Sequence, residues 1–199
     1  VCRALVMATG VSVRKLDVPG IESLTGAGVY YGAARTEAAS YRGQHVFVVG
    51  GANSAGQGAV FLSQFADRVS MLVRGSLARS MSRYLIEQIE GRDNIEVHLG
   101  DEVVEVHGGE RLEAITIRHR DTRATRREDT PALFVFIGAS PHTEMLGDLV
   151  ELSQAGFILT GADLLIGGRR ISAFGIGVKC RKHIGVRHNL SLPLPYEVE

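Results

Sequence analysis

The residues best suited to chemistry lie at positions 46 to 60, VFVVGGANSAGQGAV: an apolar run, two glycines and a series of small side chains. Such a run admits three readings. A buried strand that turns into a helix through glycines exposes free N–H groups at the helix start. The helix dipole favours an anion there, provided no bulky Cβ blocks its approach. Gly50, Ala52 and Ala55 occupy the G-x-G-x-x-G/A positions, with alanine in place of the middle glycine, and Gly51, Asn53 and Ser54 fill the turn. Asn53 and Ser54 can add side-chain donors to a bound phosphate. The second reading takes Ala52-Asn53-Ser54-Ala55-Gly56 as a mimic of the G-x-S-x-G elbow that presents a nucleophilic serine. That elbow needs several strands and an oxyanion loop ahead of it, and only about 45 residues precede this one. The third reading is a tight packing corner with no ligand.

A second cluster bears on the choice. A dinucleotide fold for NAD carries Asp or Glu about 20 residues past the turn, bonded to the ribose 2′-OH. Here the next apolar strand ends in LVRG, which puts Arg74 at that point and Arg79 a few residues on. Guanidinium suits a 2′-phosphate through bidentate, charge-assisted bonds, so the pair favours NADPH over NADH. The plain alternative is two solvated surface arginines.

Other candidates carry less. Cys180, His183 and His188 form C-x2-H-x4-H, but a tetrahedral zinc wants a fourth ligand at comparable spacing, and no metal is expected. His98 and His107 alternate with apolar residues and read as solvent-face positions. His119 lies in the basic run IRHRDTRATRR, which reads as a solvated hairpin, and His142 in the surface turn SPHTEML. No side chain is expected to serve as a catalytic acid, base or nucleophile.

The elements that must position these residues follow from periodicity. HVFVVGG is a β-branched run too apolar for a half-exposed strand. SAGQGAVFLSQFAD predicts a helix with Ala59, Phe61, Leu62 and Phe65 on one face, and RVSMLVRG a second buried strand, giving a βαβ unit. SLARSMSRYLIEQIEG predicts one amphipathic helix stopped by Gly91. From Asn94 to Thr130 apolar and charged residues alternate, the pattern of an antiparallel meander with one face in water. ALFVFIGASP returns to a buried strand. ALVMATG, residues 4–10, predicts another, while 11–44 reads as loop with short ordered pieces.

Hydrophobic residues at 45% and charged residues at 22% of 199 exclude a disordered chain. Lys and Arg number 22 against 22 Asp and Glu, so no global field favours nucleic acid or an anionic membrane. No apolar run approaches the roughly 18 residues of a membrane span. Two cysteines, Cys2 and Cys180, make no disulfide framework, which points to a reducing cytoplasm.

Residues 29–75, from VYYGAARTEAASYRGQ through the glycine turn to MLVRG, closely resemble the NADPH-binding domain of low-molecular-weight thioredoxin reductases. ALVMATG, the meander and LFVFIGASPHTEML agree in order and spacing, so the resemblance covers roughly residues 3 to 160. It implies an α/β chain: a Rossmann-like NADPH domain over 43–139 with its meander, flanked by partial FAD-domain segments at 1–42 and 140–199. It implies that Gly50, Gly51, Ala52, Asn53, Ser54 and Ala55 hold the pyrophosphate, Arg74 and Arg79 the 2′-phosphate. Ile137 and Gly138 lie near the nicotinamide, and Thr9 and Gly10 belong to the FAD side. The implied function is hydride transfer from NADPH to flavin. The rival is a non-enzymatic dinucleotide- or partner-binding module. The expected partner is a small-molecule dinucleotide, with a homodimer as the assembly and neither nucleic acid nor membrane.

Three departures qualify the resemblance. Where the family carries Cys-x-x-Cys before its Tyr-Arg pair, this chain has Ala33-Ala34-Arg35-Thr36, so disulfide reduction is not expected. The FAD domain's own glycine turn has no counterpart, so the chain reads as a piece of a longer protein without its flavin pyrophosphate site. After GADLL the basic tail to Glu199 leaves the family pattern, as an out-of-frame or unrelated segment would.

Overall fold

A computed structural model of the chain describes residues 7–32, 35–159, 165–166 and 169–170. Cys2, Cys180, His183, His188 and most of the basic tail lie outside the described residues, as does the start of the ALVMATG run. From Met7 to Gly10 that run forms no strand, contrary to expectation. The carbonyls of Thr9 and Gly10 accept hydrogen bonds from His142 instead of joining a ladder. Extended structure begins at β1 (Val11–Val13) and is followed by α1 (Ile21–Leu24), β2 (Val29–Tyr30) and α2 (Arg35–Ser40), the short ordered pieces expected before residue 44.

The βαβ unit comes next: β3 (His45–Val49), α3 (Asn53–Leu62) and β4 (Arg68–Val73). A 3-10 turn at Leu77–Arg79 leads to α4 (Arg83–Glu90) and β5 (Ile95–Leu99). Then follow β6 (Asp101–Gly108), β7 (Leu112–His119), β8 (Thr125–Asp129), β9 (Leu133–Val135) and β10 (Ala139–Pro141). A 3-10 turn at Glu144–Leu149 and the antiparallel pair β11 (Leu165–Ile166) and β12 (Arg169–Arg170) complete the described elements. The chain divides into two units, one of Val13–Ala139 and one of the segments that flank it.

In the Val13–Ala139 unit, β2-β9-β3-β4-β5 form one sheet whose strands are all parallel. Alternate side chains explain why β3 and β4 read as unbroken apolar runs. Val46, Val48, Val69 and Met71 enter the core under α3 and α4, with Ala55, Ala59, Leu62, Leu85 and Ile89. Phe47, Val49 and Leu72 enter the opposite core with Val103, Val106, Leu112, Ile115 and Ile117 of the antiparallel β6-β7-β8 layer. Each strand is therefore covered on both faces, which demands apolar residues at both parities.

Two expectations need correction. The meander starts at β6, not at Asn94: β5 pairs parallel with β4, Val69 opposite Ile95 through Val73 opposite Leu99. As an edge strand it is partly wet and alternates like a meander strand, so its period conceals its partner. The helix expected over 76–91 is broken between the 3-10 turn and α4. Ser82 is extended there, and its N–H and hydroxyl both donate to Asn53 Oδ1, at 2.7 Å each, so neither serves a continuous helix. Met81 is buried at the break and packs against Gly56 of α3. Gly91 does end α4, its N–H donating to the Glu87 carbonyl.

The amino end of β3 carries a polar cluster. Arg68 Nη2 donates to His45 Nδ1 at 3.0 Å, so the ring proton sits on Nε2, which donates to Ser70 Oγ at 2.8 Å. Burial first, and then the Arg68 cation, hold His45 below the ordinary imidazole value of 6.5, against opposite pulls from Glu96 and Glu128 and with a still smaller lowering from His98. The folded chain thus keeps His45 neutral where the unfolded chain takes up a proton. Its contribution to stability is complete above pH 6.5 and declines as pH falls through that value toward the lower folded one. His45→Gln is expected to flatten this part of the profile, read as the urea midpoint between pH 8 and 5. An unaltered slope would show that other groups set it.

Candidate functional site

The site forms where three strands end side by side. Gly50-Gly51-Ala52 follow β3, Arg74-Gly75-Ser76 follow β4, and Phe136-Ile137-Gly138 follow β9, and these segments line one cavity of about 450 Å³ with Arg79, Ser80 and Arg120. The crevice beyond the carboxyl ends of parallel strands is where open α/β sheets place ligands.

Gly50 is required by geometry. Its φ is +141°, and a Cβ there would strike the Phe136 carbonyl oxygen. Its N–H donates to the Leu72 carbonyl at 3.1 Å, which locks the turn to the β4 end. Ala52 caps α3 with extended backbone and no side-chain hydrogen bond, so the first N–H groups of the helix carry no side-chain cap. Ser80 Oγ donates to the Gly51 carbonyl at 2.9 Å and fixes the far wall. Gly58, one turn into α3, serves packing instead. A Cβ there would meet the Phe136 ring at 2.6 Å, so glycine lets that ring lie against the helix.

The sequence-selected residues are not all brought to the cavity. Gly50, Gly51, Ala52, Arg74, Arg79, Ile137 and Gly138 line it. Asn53 and Ser54 stand on the exposed first turn of α3, and the Asn53 carbonyl oxygen is engaged with Ser82. Ala55 is fully buried beneath the turn. Thr9 and Gly10 belong to the flanking unit, where His142 donates from Nδ1 to the Thr9 carbonyl and bonds Ser12 Oγ through Nε2 at 2.7 Å. Ser54 has no histidine partner among the described residues, so no nucleophilic constellation is assembled around it. His107, expected on a solvent face, is partly exposed and bonds Thr116 Oγ1 at 2.7 Å.

The electrostatics of the cavity are one-sided. Arg74, Arg79 and Arg120 are exposed, and no carboxylate stands among the lining residues. Neither Arg74 nor Arg79 makes an ion pair among the described residues. Arg120, at the end of β7, had no local signal, because its reach to β4 depends on how the antiparallel layer folds across the sheet. A wider opening of about 930 Å³ runs along Lys15–Thr25 and Tyr31. It is lined by the segment that leads into the four-residue helix α1 and by Tyr31 just past β2, and its side chains carry mixed charge, whereas the smaller cavity joins three parallel strand ends to three cations.

The profile of the pyridine nucleotide-disulphide oxidoreductase family matches residues 1–178. The chain belongs to that family. Within it, the chain is thioredoxin-reductase-like. It is 32% identical over 156 residues to a thioredoxin reductase of Mycolicibacterium smegmatis, covering 78% of this chain and 50% of that one. It is 34% identical over 161 residues to a thioredoxin reductase of Eremothecium gossypii, covering 79% and 50%. Among solved structures, thioredoxin reductase from Streptococcus pyogenes superposes with a TM-score of 0.66 at 28% identity, over 78% of this chain and 51% of that one. The fold is therefore the α/β, Rossmann-like one of FAD/NAD(P)-binding oxidoreductases. The chain spans about half the length of the curated relatives it matches. No helix of the described residues is long and apolar enough to cross a membrane.

Proposed function

We propose that residues 43–139 are the NADPH-binding portion of a thioredoxin-reductase-like, FAD-dependent oxidoreductase that works without a Cys-x-x-Cys pair. The observation that carries this reading is the convergence, in one cavity, of an uncapped glycine turn and two arginines free of ion pairs among the described residues. The parts divide the labour by chemistry. The α3 N-terminus, opened by Gly50, Gly51 and Ala52, suits a pyrophosphate, since a larger residue at Gly50 would strike the Phe136 carbonyl and displace the turn that presents the helix N–H groups. Arg74 and Arg79 suit the 2′-phosphate, and Ile137 and Gly138 present an apolar edge and bare backbone to the nicotinamide end. The bound dinucleotide supplies the hydride and a flavin accepts it, while the protein contributes position and field. The flanking segments 1–42 and 140–199 correspond to FAD-domain pieces, with Thr9 and Gly10 on that side.

Titration of the purified chain with NADPH and NADH tests the reading. NADPH is expected to bind at least tenfold more tightly, and Arg74→Ala to remove most of that preference, a charge-assisted bond being worth about 1.5–3 kcal/mol. Equal affinities in the unaltered chain would refute NADPH selectivity. In the intact protein, dinucleotide binding with neither flavin colour nor turnover would favour the non-enzymatic module.

A further inference from the structure

We propose that Arg120, delivered from the antiparallel layer, is a third guanidinium for the 2′-phosphate and a determinant of NADPH over NADH. This rests on the NADPH reading above and adds a residue far from the glycine turn in sequence. Arg120 is anchored by its own backbone, its N–H donating to the Gly100 carbonyl at 2.8 Å. Its Nη1 reaches across to donate to the Arg74 carbonyl at 3.3 Å, which joins the end of β7 to the end of β4 at the cavity wall. Its Nε faces Glu102 Oε2 at 4.0 Å, a long contact. The shorter bonds of Glu102 go to Arg118, at 2.7 and 3.2 Å. The Arg118 hydrogen bond is also the main reason the Glu102 carboxyl lies below its ordinary range, with Arg120 and Arg74 adding smaller pulls. Glu102 therefore orients Arg120 while its charge is chiefly matched by Arg118.

These contacts use two of the five donors of the guanidinium and leave the rest for a ligand. Arg74 is followed by Gly75, so the end of β4 supplies a single cation. Arg120 supplies charge to the same wall through space. Three guanidinium groups around a cavity without a carboxylate repel one another unless an anion joins them. A phosphate monoester, carrying close to two charges and three acceptor oxygens, matches that field better than a ribose hydroxyl does.

The test uses the whole chain and two fragments that differ only in the 2′-phosphate, 2′,5′-ADP and 5′-AMP, titrated calorimetrically. Arg120→Ala is expected to weaken 2′,5′-ADP about tenfold and to leave 5′-AMP unchanged. Arg120→Gln retains an N–H donor for the Arg74 carbonyl but loses the charge, and is expected to show the same selective loss. Arg120→Lys, which keeps the charge, is expected to recover part of it. Equal weakening of both ligands, or full affinity in Arg120→Gln, would mean a structural role and overturn the proposal. If Arg74→Ala abolishes the preference and neither Arg120→Ala nor Arg120→Gln changes it, the Arg120 assignment falls while the NADPH reading stands. If the unaltered chain does not distinguish the two fragments, both fall.

Discussion

Gly50→Ala is expected to abolish dinucleotide binding and to lower the stability of the chain by about 2–5 kcal/mol. Two independent costs combine. A residue with a Cβ is strained at a φ of +141°, and that Cβ would overlap the Phe136 carbonyl oxygen. Relief requires the turn to move away from β9, which breaks the Gly50 N–H bond to Leu72 and shifts the N–H groups at the start of α3. An anion held by several such donors tolerates little displacement, so the loss of affinity should exceed roughly a hundredfold. Gly43→Ala is the control, because Gly43 also has positive φ, +69°, yet a Cβ there meets open space. Thermal unfolding of both variants beside NADPH titration separates strain from collision. Similar losses in the two would mean that the close approach at Gly50 is unimportant.

Phe134→Ala is expected to cost about 3–5 kcal/mol, a large part of the roughly 5–15 kcal/mol that stabilises a typical domain. Phe134 is completely buried on β9, between β2 and β3 in the parallel sheet. Its ring stacks on Tyr30 at 5.4 Å and meets Tyr41 edge-on at 6.0 Å. The two phenols bond to each other at 2.8 Å, so the rings form one closed aromatic group. Burial, with the Tyr30 bond next, raises the Tyr41 phenol well above its ordinary range and keeps it neutral at any physiological pH. Truncation leaves a cavity beneath the strand that leads to Phe136, Ile137 and Gly138. Stability in urea should therefore fall together with NADPH affinity, while Phe134→Leu should recover much of both. A small stability change for Phe134→Ala would show that the sheet closes over the gap.

Much of this site was legible because its parts are local. The turn, its glycines and the arginine that ends the next strand lie within about 30 residues of one another, and each obeys a rule of backbone sterics or charge. The division of labour within the turn was less accessible. Asn53 is a phosphate donor by type through its amide nitrogen, and only the fold shows that Ser82, 29 residues away, fixes the side chain by donating to its carbonyl oxygen. The break before α4 follows from the same contact, and amphipathic period alone does not register it. The edge position of β5 was hidden for a related reason, since half-wet strands alternate in parallel and antiparallel sheets alike.

The sequence by itself determined the βαβ unit, the glycine turn and the position of Arg74, because strand burial, positive-φ turns and terminal charges act over a few residues. Only the tertiary structure decided which strand partners β5, what Asn53 bonds, and that Arg120 meets Arg74 at 3.3 Å. Those outcomes depend on how the β6-β7-β8 layer folds over the parallel sheet. That layer is held by the packing of Phe47, Val49 and Leu72 against Ile115 and Ile117, a non-directional attraction summed over residues distant in the chain.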